Sequence, residues 1–308
     1  LSAVLDNLTT TVVMVTLLDK LMNKTEDRLI IGGGIVIAAN AGGAWTPIGD
    51  VTTTMLWIGG QLTTPAVIKD LLLPSLVCML ASFTCLTFML KGEYNLKKAS
   101  EADGKREPFS LLIFALGLGA LLFTPIFKVI TGLPPVMGIL FGLSILWIVT
   151  DFIHEEIDNR SHLKVPYALG RVDLTSTFFF LGILLAVGAL SNVGILEQFA
   201  VWITATVPNL SLIAFIMGIV SAIIDNVPLV AALMQMYSIE VYTTDSYLWE
   251  LVAYCAGTGG SILIIGSAAG VVFMGIERVD FWWYMKKISG PALVGYCAGF
   301  LTYVMMNR

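Results

Sequence analysis

Three aspartates stand where a charge is costly. Asp6 in "SAVLDN", Asp50 in "NAGGAWTPIGDVTTT" and Asp225 in "SAIIDN" lie in or beside apolar runs long enough to sit inside a bilayer. A carboxylate at that depth must be paired, solvated or engaged with an ion, so each is a candidate for handling cations or protons. Their neighbours are amides and hydroxyls: Asn7, Asn40, Thr52, Thr53, Ser221 and Asn226, with Thr258, Ser261 and Ser267 in the stretch "GTGGSILIIGS". Such hard oxygen donors suit an alkali cation. No Lys or Arg occurs in any of these motifs, so an anion would have only helix N termini to meet it. An Asp-Asn pair is also a good helix N-cap, and both roles can hold at once.

The motifs recur. Ser2–Asn7 and Ser221–Asn226 lie 219 positions apart, while Gly42, Gly43 and Gly49 align with Gly259, Gly260 and Gly266 at an offset of 217. In the first copy Pro47 removes a backbone donor and clashes backward, so the helix entering from Leu29 must unwind between Gly42 and Gly49. Unwound carbonyls become available to a cation, with Asp50, Thr52 and Thr53 adding side-chain oxygens. Backbone of this kind is tolerated at membrane depth only where it is buried in protein or lines a cavity.

The elements that position these residues are read from hydropathy and charge. The 308 residues are 57% apolar and 13% charged, with a mean hydropathy of +0.86. Nine uncharged runs reach 18 residues or more, about the length a spanning helix needs. Fourteen of the 17 Lys and Arg fall in four connections, around Lys20–Arg28, Lys91–Arg106, Arg160–Arg171 and Arg278–Lys287, which the positive-inside rule places in the cytoplasm. Threading from there makes residues 211–239 a re-entrant hairpin that opens outward, through the uncharged-to-acidic stretch "EVYTTDSYLWE". The first hairpin opens inward, through Lys20–Arg28. The expected class is thus an all-α polytopic membrane protein of inverted repeats, with two re-entrant hairpins and two broken transmembrane helices. That is the architecture of secondary transporters that bind at midplane.

Composition excludes other classes. The four cysteines lie in apolar runs without close pairing and read as packing residues, and the two histidines fall in the polar connection 151–171, away from the motifs. No cofactor, resident metal or nucleic-acid partner is expected. The tetrapeptide "PIGD" resembles part of an intramembrane aspartyl protease signature, but Pro47 replaces its first glycine and the tyrosine-aspartate pair is absent, so an enzyme is not expected. Because the chain opens at Leu1 inside a hairpin pattern, the full-length protein is expected to carry a further N-terminal segment.

At these residues the sequence resembles the NhaD-type sodium/proton antiporters of the ion transporter superfamily, which also holds citrate, dicarboxylate and arsenite carriers. "NAGGAWTPIGDVTTTMLWIGGQ", "LDNLTTT", "IDNVPLVAA" and "GTGGSILIIGSAAG" carry the resemblance in order along nearly the whole chain. It implies a transport domain carried past a scaffold that dimerises, with Asp6, Asn7, Asn40, Asp50, Thr52, Thr53, Ser221, Asp225, Asn226 and Ser261 at family functional positions. It also implies an acidic residue upstream of the first hairpin. Residues 1–68 and 191–287 are then the repeated transport elements, 69–190 the scaffold helices and 288–308 a terminal helix. The expected site has sodium at Asp6, Asn7, Asp50 and Asn226. Burial and a neighbouring like charge favour the protonated form of a carboxyl, so Asp6 and Asp50 would bind protons that sodium displaces. An elevator-like movement in an inner (plasma) membrane would then exchange sodium or lithium for protons. The alternative is sodium-coupled uptake of a carboxylate or arsenite-type anion on the same fold.

Overall fold

The computed structural model describes residues 1–22, 25–90, 109–154, 164–170, 174–207 and 209–307. Lys24, Lys91, Lys97, Lys98, Lys105, Arg106, Arg160 and Arg171, which carry part of the expected charge asymmetry, lie outside the described residues, as do His162 and Arg308. Among those described, regular structure is entirely helical, and the chain falls into two units, 1–100 with 184–308, and 101–183.

The first unit begins with the short helix α1 (Ser2–Leu5) and α2 (Asn7–Leu21), joined at Asp6. Next come α3 (Thr25–Gly43) and α4 (Val51–Ile58), separated by an irregular stretch, and then α5 (Thr64–Thr87). In the second unit α6 (Ser110–Thr131) and α7 (Pro135–His154) pack as a pair and are followed by α8 (Val165–Leu169). The helix α9 (Leu174–Asn192) leads back to the first unit. The rest comprises α10 (Ile195–Thr206), α11 (Leu210–Ser221), α12 (Asn226–Met236), α13 (Tyr247–Gly259), α14 (Ala268–Glu277), α15 (Phe281–Lys287) and α16 (Ser289–Met306).

Uncharged length overstates the number of unbroken spans. Among the described residues only α5, α6, Pro135–Ile153 of α7 and α16 are single helices long and apolar enough to cross a bilayer, and Leu181–Asn192 with Ile195–Thr206 forms a pair bent by 74°. Two of the nine runs are instead divided: 251–276 contains a helix break, and the run from Val129 is cut by Gly132, which caps α6 at φ 70°, and by Pro134 and Pro135. Large apolar side chains on α6 and α7 remain exposed, among them Leu111, Ile130 and Phe152. That outward apolar surface and the buried polar centre of the first unit make this a multi-pass membrane protein.

The two breaks share one local geometry. A Cβ on Gly43 would collide with the carbonyl oxygen of Gly49, and one on Gly260 would lie 2.6 Å from that of Gly266. Chain folds back tightly at both places, which glycine alone permits. The hydroxyl of Ser2 donates to Ala39 O, and that of Ser221 donates to Ala256 O at 2.9 Å, the same relation 217 to 219 positions on. Packing is reciprocal as well: α2 lies on α14, and α12 lies on α4.

The ends of the broken pairs show their relative direction. Arg28, near the start of α3, pairs with Glu277 at the end of α14 (2.8 Å) and with Asp19 near the end of α2 (2.6 Å). At the opposite end, Asp245, just before α13, accepts from Thr63 N and Oγ1 just after α4, and Asp245 N donates to Gln61 O. The start of α3 therefore neighbours the end of α14, and the end of α4 neighbours the start of α13. The two broken pairs run antiparallel. The helix α16 closes against α5 and α13, where Tyr303 donates to buried Glu250.

Candidate functional site

Antiparallel broken helices bring their interruptions together, and the polar side chains meet there. Asp50 is the N-cap residue of α4 and is 2% exposed. Its Oδ1 accepts from Asn7 Nδ2 at 3.3 Å; its Oδ2 accepts from Thr52 Oγ1 at 3.0 Å and from Asn226 Nδ2 at 3.3 Å. One carboxylate thus joins the first residue of α2, the first residue of α12 and the second residue of α4. Among the described residues no Lys or Arg forms an ion pair with it.

Asn40, fully buried in α3, extends the network to the second break. Its Oδ1 accepts from Asn7 Nδ2 (3.0 Å), and its Nδ2 donates to both Ser261 Oγ and Ser267 Oγ (2.9 Å each). Ser267 also accepts from Gly270 N and so caps α14. The carbonyl of Ser261 is held by the hydroxyl of buried Tyr284 (2.9 Å). Satisfying buried polar groups in one network fixes their orientation, since each orphaned partner costs about 1–3 kcal/mol.

Seven of the sequence-derived residues therefore converge: Asn7, Asn40, Asp50, Thr52, Asn226, Ser261 and Ser267. The others do different work. Asp6, at φ 62°, spends its carboxylate on Thr9 N and Thr9 Oγ1 at the start of α2. Asp225 accepts from Val227 N at the start of α12. Thr53 Oγ1 donates to Asp50 O and Gly43 O, bracing the first break; Thr258 Oγ1 donates back to Tyr254 O within α13; Ser221 Oγ holds Ala256 O.

Two participants escaped the sequence reading. Tyr284 sits in "FWWYMKK", a stretch that gives no sign of a buried hydroxyl. Ser2 opens the first motif, but only its pairing with Ala39 shows that it pins α1 to α3.

A buried carboxylate ringed by amides and hydroxyls, with no basic partner among the described residues, is suited to a desolvated monovalent cation or to a proton. Rotating any of the three asparagine amides presents an oxygen where a nitrogen now points. Two half-helices also begin here, at Val51 and Ala268.

Comparison with known proteins places the chain in a family. The family profile described as "Citrate transporter" matches residues 1–257. The chain is 55% identical over 310 residues to "Sodium/proton antiporter 1" of Arabidopsis thaliana, covering all of this chain and 54% of that protein, and 51% identical over 312 residues to "Sodium/proton antiporter 2" of the same plant, covering 74% of it. It is 29% identical over 339 residues to "Na(+)/H(+) antiporter NhaD" of Alkalimonas amylolytica, all of this chain against 67% of that one. The chain spans about half the length of the first of these relatives. Read with the convergence at Asp50, these matches establish that the chain belongs to the citrate-transporter family and, within it, to the NhaD-type sodium/proton antiporters.

Proposed function

We propose that the protein exchanges sodium, and lithium, for protons across a membrane, with Asp50 as the group for which the cation and the proton compete. The observation that carries this is the buried Asp50 carboxylate held by three neutral donors and, among the described residues, in no ion pair with Lys or Arg. Sodium would be met by Asp50 and by the amide and hydroxyl oxygens of Asn7, Asn40, Asn226, Ser261 and Ser267. When sodium leaves, a proton on Asp50 removes the bare charge. A site that must hold one or the other couples their movements in opposite directions. The relatives named as sodium/proton antiporters support the same reading.

Access alternates, in this proposal, because the two copies are inverted. The antiparallel α3–α4 and α13–α14 pairs and the reciprocal packing of α2 on α14 and α12 on α4 support that arrangement. The α1–α2 and α11–α12 units act as re-entrant hairpins, and the transport elements move as one body in an elevator-like step. The family resemblance adds a homodimer.

Sodium-coupled uptake of a carboxylate anion is favoured by the description of the family profile. Placing an anion beside Asp50 would set like charges together without a basic residue to offset them, which costs more than the helix ends return. The test is a pH-jump assay in everted vesicles with sodium, lithium, potassium and citrate added in turn. Proton movement on adding sodium or lithium, and none on adding citrate, is the expected result. Citrate uptake that needs sodium, without sodium-driven proton movement, would overturn it.

A further inference from the structure

Asn40 and Gly257 occupy corresponding positions in the two copies, 217 residues apart, as do Asp50 and Ser267. The copies therefore differ in a linked way. In the first, a large amide at 40 reaches across to Ser261 and Ser267. In the second, position 257 has no side chain, and the carboxylate of Asp50 comes up against that bare backbone. A Cβ built on Gly257 would stand 3.3 Å from Asp50 Oδ2 and 3.3 Å from the Cβ of Ala44.

Gly257 lies within α13, two residues before its end, where glycine is about 1 kcal/mol worse than alanine for helix stability. No turn or positive φ requires it there. What would crowd a side chain there is the close approach of Asp50 and Ala44. An added methyl would occupy one side of the carboxylate, on the oxygen that also receives Thr52 and Asn226.

We infer that Gly257 is a specificity-determining residue: the space left by its missing side chain, bounded by Asp50 and Ala44, sets the size of the cation that the site admits. This inference rests on cation exchange at Asp50. For hard cations bound by oxygen, selection between sizes is a matter of cavity size, ligand number and rigidity. A methyl at 257 shrinks the space on one side only, so it penalises sodium more than the smaller lithium.

The test is Gly257→Ala in the full-length protein, reconstituted, with exchange followed against sodium and against lithium concentration. The sodium concentration for half-maximal exchange should rise by about tenfold relative to lithium, the order that one methylene commands in a close-fitting site. Adding Ala44→Gly to Gly257→Ala removes the other contact and should return the sodium-to-lithium ratio most of the way to that of the unaltered protein. A variant that loses exchange of both ions in parallel, or whose ratio is unchanged, overturns the inference. So does a ratio that shifts but ignores Ala44→Gly. Absence of any sodium-driven or lithium-driven proton movement in the unaltered protein would refute cation exchange itself, a distinguishable result.

Discussion

Asn40 links the two halves of the site through three hydrogen bonds, to Asn7, Ser261 and Ser267. Asn40→Ala leaves two buried serine hydroxyls without that donor and frees Asn7 from one of its two acceptors. With about 1–3 kcal/mol at stake per orphaned group, the half-maximal sodium concentration should rise about tenfold or more, equivalent to 1.4 kcal/mol. Exchange at saturating sodium should persist, because Asp50 is untouched. Concentration-response curves in vesicles check this, and an unaltered curve would remove Asn40 from the site. Residue type disclosed much of this centre in advance. Asn7, Asn40, Asp50, Asn226, Ser261 and Ser267 are polar groups in apolar company, which is unusual enough to be read directly. Whether a hydroxyl points at the site or at its own backbone is set by rotamer and helix end, so the roles of Thr53, Thr258 and Ser221 emerged only from their bonds. Asp6 and Asp225 show the same limit. Their capping bonds are what an Asp-Asn pair at a helix start encodes, and the sequence left that reading open beside the ionic one.

The helix breaks were legible because proline and glycine act locally: Pro47 and the glycines around it stop α3 at Gly43, and α4 restarts at Val51. The second break lacks a proline and was found only through alignment with the first. Hydropathy alone did less well. It joined 251–276 into a single apolar run and carried the run from Val129 past Gly132 into α7, because an uncharged residue is equally at home in a helix, a break or a turn within the membrane. The bend of 74° between α9 and α10 has the same origin: Val193 and Gly194 interrupt the helix without any change in polarity, with Gly194 at φ 78°. Contacts between elements, such as α2 on α14 and α12 on α4, depend on side-chain fit across more than 200 residues of chain. Only the spacing of the repeated motifs hinted at them.

At the scale of the whole molecule, the proposed inverted arrangement would let two faces reach one site. Thr9 in α2 and Pro228 in α12 are partly buried, lie 219 positions apart and stand third in their helices. Cysteines placed singly at these positions, in a background lacking Cys78, Cys85, Cys255 and Cys297, should react with a membrane-impermeant thiol reagent from opposite sides, and sodium should change both rates. Labelling of both from one side would refute the inverted arrangement.

Competition between sodium and a proton at Asp50 is the central claim, and one measurement meets it most directly. Proteoliposomes holding the full-length protein are given an imposed pH gradient, and uptake of radioactive sodium is followed for the unaltered protein and for Asp50→Asn. The amide retains the size of the side chain and an acceptor for Thr52 but cannot carry the proton or the charge. The expected result is gradient-driven sodium uptake in the unaltered protein and its loss in Asp50→Asn, with both inserted and folded alike. Gradient-driven uptake by Asp50→Asn at the unaltered rate would contradict the assignment.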